Sequence, residues 1–190
     1  MIQELDWGTR QKLALPRIAL CGPMGIGKTT AVRTLCGELM SHSDVRNLDL
    51  AAHTKDFTTV GTEFGEIDLG DGDRVQICGC PGQERFSFVR QWVLSVSMGV
   101  FIMADVNAAG SLAETTHILG EISKLETAPV TLILSARDAG DTQIETFAQG
   151  VYSAGYGVIP VLQADPRDRA QMLEVMSVLV SMLSLQSENP

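Results

Sequence analysis

The octapeptide Gly22-Pro23-Met24-Gly25-Ile26-Gly27-Lys28-Thr29 constrains this chain more than any other stretch. It fits G-x-x-x-x-G-K-[ST], follows directly on the apolar run Ile18-Ala19-Leu20-Cys21, and is followed by good helix formers. Glycines at 22, 25 and 27 let the backbone curl so that successive N–H groups point inward, forming a nest for an anion. A helix starting near Lys28 adds the positive end of its dipole. The pattern reads as a phosphate-binding loop. Lys28 brings a mobile charge to β- and γ-phosphates, the Thr29 hydroxyl is a ligand for Mg²⁺, and Thr30 is placed for the α-phosphate.

Around this loop, apolar runs alternate with helical patterns. Strands are expected over 17–21, 62–69, 74–78, 100–105, 130–134 and 158–162, and the polar stretch 42–58 reads as a loop. Helices are expected over 29–40, 111–125, from about Thr142, and over 168–185. The last of these carries Met172, Val175, Met176, Leu179, Val180 and Leu183 on one stripe, as a core helix does. Gly70-Asp71-Gly72-Asp73 between alternating segments is a hairpin signal. The order predicts an α/β fold: a mostly parallel six-stranded sheet with one antiparallel hairpin strand and helices on both faces. A leader (1–13), a single domain (14–187) and a short tail (188–190) are the expected organisation. On such a sheet a ligand sits beyond the carboxyl ends of the strands.

A formal charge of −9 argues against nucleic acid or anionic lipid as a partner, though not against a nucleotide held by a local nest. Cys21, Cys36, Cys78 and Cys80 lie in or beside apolar runs, without paired C-x-x-C spacing, and read as buried free thiols of a reducing compartment. The longest apolar run, near 98–106, is too short to span a bilayer. Ile2 and the ending Ser-Glu-Asn-Pro offer no lipid-anchor motif. A cytoplasmic location is expected. His42, His53 and His117 are scattered and suggest no shared metal site.

Narrowing beyond the phosphate loop comes from downstream. Cys78-Gly79-Cys80-Pro81-Gly82-Gln83-Glu84-Arg85-Phe86 follows the second hairpin strand, Asp56-Phe57-Thr58-Thr59-Val60-Gly61 precedes the first, and Ala104-Asp105-Val106-Asn107 ends the next strand. From about Pro16 to Leu185 the chain resembles the Ras-like small GTPases, with a G domain of the P-loop NTPase fold. Gly-Cys-Pro-Gly-Gln is similar to the stretch found in bacterial members, the gliding-motility (Mgl-type) and conservon GTPases, which pair with roadblock-fold regulators. The resemblance implies a signalling switch that binds GTP, GDP and Mg²⁺ and hydrolyses GTP. It implies Gln83 as the catalytic residue that orients water, Gly82 as a γ-phosphate contact, and Thr29 with Thr59 as metal ligands. Asp138 and Ala164 would meet the base.

Three departures stand out. Gly79 replaces the usual aspartate near the metal, which should weaken the metal's outer shell. Met24 replaces a glycine and would crowd the γ-phosphate and an incoming arginine finger, so hydrolysis is expected to be slow. Ser135-Ala136-Arg137-Asp138 stands in place of N-K-x-D; Asp138 can still accept from the guanine edge, but base discrimination is open, with ATP as an alternative. Arg46 and Arg85 are candidates for an arginine in cis, with solvated surface residues as the plainer reading. Two other functions stay open: a pseudo-GTPase acting as a partner-binding scaffold, and a P-loop ATPase or small-molecule kinase.

Overall fold

A computed structural model of the chain describes residues 15–37, 40–46, 57–70 and 73–188. The expected leader, the turn residues Asp71 and Gly72, Asp56 and the last two residues lie outside them. The strands are β1 (Arg17–Cys21), β2 (Met40–Arg46), β3 (Phe57–Gly70), β4 (Asp73–Gly79), β5 (Gly99–Ala104), β6 (Val130–Ser135) and β7 (Val161–Gln163). The helices are α1 (Lys28–Cys36), α2 (Ser87–Ser95), α3 (Ser111–Ile122), α4 (Asp141–Val151) and α5 (Arg169–Glu188).

The strands form one sheet in the order β2-β3-β4-β1-β5-β6-β7. Only β3 runs against the others: it is antiparallel to β2 and β4, while β1 pairs in parallel with β4 and β5. The expected architecture holds, with seven strands rather than six. The added strand corrects the reading of 42–58 as loop, since Met40–Arg46 pairs with β3 and Phe57 already belongs to β3. The sequence Met-Ser-His-Ser-Asp-Val-Arg lacks apolar alternation, and β2 stands at the edge of the described sheet, where no such alternation is required. The last strand also shifts, from 158–162 to Val161–Gln163; Pro160 has no N–H for a ladder, and Val158 is exposed.

Alternation of side chains across the sheet divides the core in two. Ile18, Leu20, Ile77, Phe101, Met103, Leu132 and Leu134 face Val32 and Leu35 of α1 and Met172, Val175, Met176 and Leu179 of α5. Ala19, Cys21, Cys78, Val100, Ile102 and Ile133 face Val93, Leu94, Ile118, Leu119 and Phe147 of α2, α3 and α4. The stripe of α5 is therefore core, as its spacing predicts, with Val180 and Leu183 packed at its margin. Each fully buried Leu or Ile contributes roughly 1.5–3 kcal/mol. Asp168 starts α5: its Oδ1 accepts from the N–H groups of Ala170 and Gln171 at 2.9 and 3.2 Å, and Gln171 Nε2 returns a bond to Oδ2. No described helix is long and apolar enough to cross a membrane.

Candidate functional site

The carboxyl ends of β1, β4, β5, β6 and β7 share one edge of the sheet, where the order turns about β1. Two cavities open there, of about 500 and 610 Å³. Gly25, Gly27 and Thr30 line both, so the phosphate loop forms the ridge on which they meet.

The smaller cavity is lined by Lys28 and Thr29, the residues expected to meet phosphates. Its floor is the turn from β1 into α1. Gly22 (φ 139°) is buried, and a Cβ there would run into the Met103 carbonyl of β5, so only glycine lets β1 hand over to the turn. Lys28 Nζ donates to the carbonyls of Gly22 and Pro23 at 2.8 and 2.7 Å, using two of its three N–H groups. Burial lowers the Lys28 pKa, against the raising fields of Cys21, Cys80 and Glu63. Thr29 is exposed on the first turn of α1 and lines the same cavity.

The loop after β4 closes over this floor. Gly82 rests on the phosphate loop so tightly that a Cβ would stand 2.7 Å from the Met24 nitrogen and 2.9 Å from the Pro23 carbonyl carbon. Gln83 is exposed, and its Nε2 lies 3.6 Å from the sulfur of Met24, itself 75% exposed. Gln83 and Met24 are thus neighbours. Glu63 of β3 also lines this cavity, a carboxylate that the sequence reading missed. Thr59 falls within β3, and its side chain lies outside the described residues. Arg85 lines the cavity with its guanidinium over the Phe86 ring; Arg46 lies on β2.

The larger cavity is bounded by three loops laced together around Asp138. The Asp138 carboxylate accepts from Gln163 Nε2 at 3.0 Å, and its carbonyl accepts from Asn107 Nδ2 at 2.9 Å. Gln163 Oε1 accepts from the Ala139 N–H at 2.9 Å. Ala164 is buried, and its N–H donates to the Ser135 carbonyl at 3.1 Å. Ile26 is likewise buried, its side chain in the core beneath the loop. Arg137 donates to the carbonyls of Ile26 and Gly25, joining this end to the phosphate loop. Its reach could be anticipated only as a cation near the base loop, since its position in the motif is one residue out of register for a lysine-like role.

All four cysteines are buried and free. Burial pushes the Cys36 thiol to about 11 and that of Cys78 to about 12, and a bond with Cys21 together with burial holds Cys80 well above its ordinary value. These are inert thiols, as their apolar neighbours predict. Among the described residues, His117 meets Glu84 and Glu121 closely enough to share a cation, but Arg90 already donates to both carboxylates.

The site can hold an elongated anion: phosphates over the Lys28 end, a ring system at the Asp138 end. The Ras family model matches residues 17–180 of the chain. No curated protein matches it.

Proposed function

The chain belongs to the Ras family, and we propose that it is a slow GTPase of the bacterial Mgl or conservon type, a cytoplasmic signalling switch governed by a roadblock-fold partner. One observation carries the nucleotide reading: a phosphate-loop lysine and an aspartate stand at opposite ends of two cavities that share Gly25, Gly27 and Thr30. Two adjoining cavities of this kind suit a nucleoside triphosphate, with Asp138 accepting from the two donors that guanine presents and adenine lacks. The carboxylate is exposed, and its present donor is the Gln163 amide.

Within one domain, 14–187, the residues divide the work. The inward N–H groups from Gly22 to Gly27 and the start of α1 would hold the phosphates, with Met24, Ile26 and Thr30 completing the turn. Lys28 would exchange carbonyl partners for phosphate oxygens. Mg²⁺ fits this end, where Thr29 offers a hard oxygen and Glu63 a carboxylate; bound there, it supplies charge neutralisation on the terminal phosphates. Thr29 and Thr59 would be its ligands. Gly82 would donate its N–H to the γ-phosphate, and Gln83 would orient the attacking water. Loss of the γ-phosphate would release the loops carrying Thr59 and Gly82, the change a partner reads.

Slow turnover follows from Met24, whose sulfur lies against the Gln83 amide. A regulator is supported by Phe88 and Trp92 of α2 and Val96 at its C-terminal cap, exposed four residues apart directly after the loop of Gln83. The same Met24–Gln83 contact favours a second reading, a scaffold that binds nucleotide without turnover.

Extraction of nucleotide from the purified protein, followed by chromatography, tests the proposal. GDP or GTP supports it. ATP would move the base preference, and a protein that neither carries nor takes up nucleotide would overturn the switch.

A further inference from the structure

Gly79 ends β4 inside the phosphate-end cavity, where a β4 carboxylate would be expected near the metal and glycine supplies none. Directly across the antiparallel ladder stands Glu63. A Cβ built on Gly79 would lie 3.6 Å from Glu63 Oε2 and 3.8 Å from Glu63 Cβ. The glutamate side chain therefore lies beside the position of a side chain at 79, in ordinary contact with it. It points to the α1 side of the sheet, as residue 79 does, since Val32 of α1 lies 3.6 Å from the same Cβ position.

We propose that Glu63 supplies from β3 the carboxylate that β4 lacks, and that it serves as the metal-positioning residue of this site. The proposal rests on the Mg²⁺–nucleotide reading above and deepens it. Three features support it. Glu63 lines the same cavity as Lys28, Thr29 and Gly79. Among the described residues none donates a hydrogen bond to its carboxylate, so its charge is not consumed by a neighbouring cation. Its field already reaches Lys28 across the cavity. A glutamate one strand away has the extra methylene that the longer path requires, and an outer-sphere role through bound water tolerates that displacement better than direct ligation does.

The arrangement explains why β4 can end in glycine. Aspartate at 79 and glutamate at 63 would set two anions side by side.

The test measures the Mg²⁺ dependence of N-methylanthraniloyl-GDP dissociation for the wild type, Glu63→Gln, Glu63→Ala, and Glu63→Ala combined with Gly79→Asp. Substituting outer-shell partners typically weakens metal affinity about 10- to 100-fold. The Mg²⁺ concentration that half-retains nucleotide should rise at least tenfold in Glu63→Gln, while dissociation in EDTA stays within about threefold of wild type. Gly79→Asp should restore retention in the Glu63→Ala background. A half-point unmoved in Glu63→Gln overturns the proposal, as does an equal acceleration with and without Mg²⁺, which would assign Glu63 to the Lys28 field alone. Far-UV circular dichroism and melting of each variant separate these outcomes from misfolding. A wild-type protein that binds no labelled GDP at any Mg²⁺ concentration sinks the nucleotide reading itself. One that binds it without regard to Mg²⁺ sinks only the role of Glu63.

Discussion

Arg137 donates from one guanidinium nitrogen to the Ile26 carbonyl at 2.9 Å and from the other to the Gly25 carbonyl at 3.2 Å. This fork fastens the loop after β6 to the phosphate loop, and a third bond, to its own neighbour Ala136 at 2.7 Å, fixes the side chain's direction. Both loop carbonyls are thereby occupied by one cationic side chain.

Arg137→Ala should therefore loosen the phosphate loop without unfolding the core. Hydrogen bonds from a charged donor contribute about 1.5–3 kcal/mol when sheltered, and less here, because Arg137 is exposed. GDP dissociation should accelerate about tenfold, with little change in melting temperature of the nucleotide-free protein. Arg137→Lys should recover only part of this, since a single ammonium lacks the planar fork that spans two carbonyls. Stopped-flow displacement of labelled GDP gives the answer, and equal rates in all three proteins would remove Arg137 from the site.

Asp138 bears on base choice. Its carboxylate is an exposed acceptor in the lining of the larger cavity, and it already holds an amide donor, that of Gln163. A site built to accept from a ligand's N–H groups rejects the analogue without them, because its buried polar atoms are then unpaired. Exposure of Asp138 moderates the effect. Asp138→Ala should weaken GDP about 100-fold and leave ADP nearly unchanged, in competition titrations against labelled nucleotide. Parallel losses for both bases would show that the loop, rather than the carboxylate, was disturbed.

Much of this was legible from residues alone, and what was not has identifiable physical causes. The phosphate loop is local: its glycines and Lys28 are adjacent in sequence, so no long-range pairing is needed to see it. Alternation such as Ile18 and Leu20 against Ala19 and Cys21 fixes which side of the sheet each residue faces. Glu63 was hidden by register. Pairing counted from Gly70↔Asp73 without interruption would set Phe64 opposite Gly79; a bulge between Asp68 and Gly70 slips the ladder by one and brings Glu63 there instead. No local signal in the hairpin announces that slip. β2 was missed because an edge strand has no apolar period to display, and Arg137 because a long side chain reaches where its sequence position does not.

Met24 sets the expected pace of hydrolysis. Its side chain projects from the phosphate loop and meets the Gln83 amide at 3.6 Å, the nitrogen that would otherwise be free to order water. Met24→Gly removes both the thioether and the bulk facing an approaching arginine. Multiple-turnover hydrolysis of GTP should rise about tenfold, equivalent to roughly 1.4 kcal/mol in the barrier. An unchanged rate would clear Met24 and place the restraint on Gln83 itself.

Stability of the region behind Gln83 depends on an ion pair that sequence inspection does not single out. Arg90 of α2 donates through Nε and a terminal nitrogen to both oxygens of Glu121 on α3, at 2.6 and 2.7 Å. The two side chains are only 5% and 8% exposed. A further bond of 3.2 Å reaches Glu84, which follows Gln83 directly and is 71% exposed. The bonds to Glu121, reinforced by its charge, hold the Arg90 pKa above its ordinary value despite burial. Glu121→Ala would leave the buried guanidinium with the exposed Glu84 carboxylate as its remaining described partner; breaking a buried pair in this way costs about 3–5 kcal/mol. Glu84→Ala, at the surface, should cost no more than about 1 kcal/mol. Replacing both members, Arg90→Leu with Glu121→Leu, removes the two charges together and should recover most of the loss. Urea unfolding of the three variants distinguishes the cases: if Glu121→Ala costs no more than Glu84→Ala, α2 and α3 are joined by their apolar contacts alone and the fork between them is incidental.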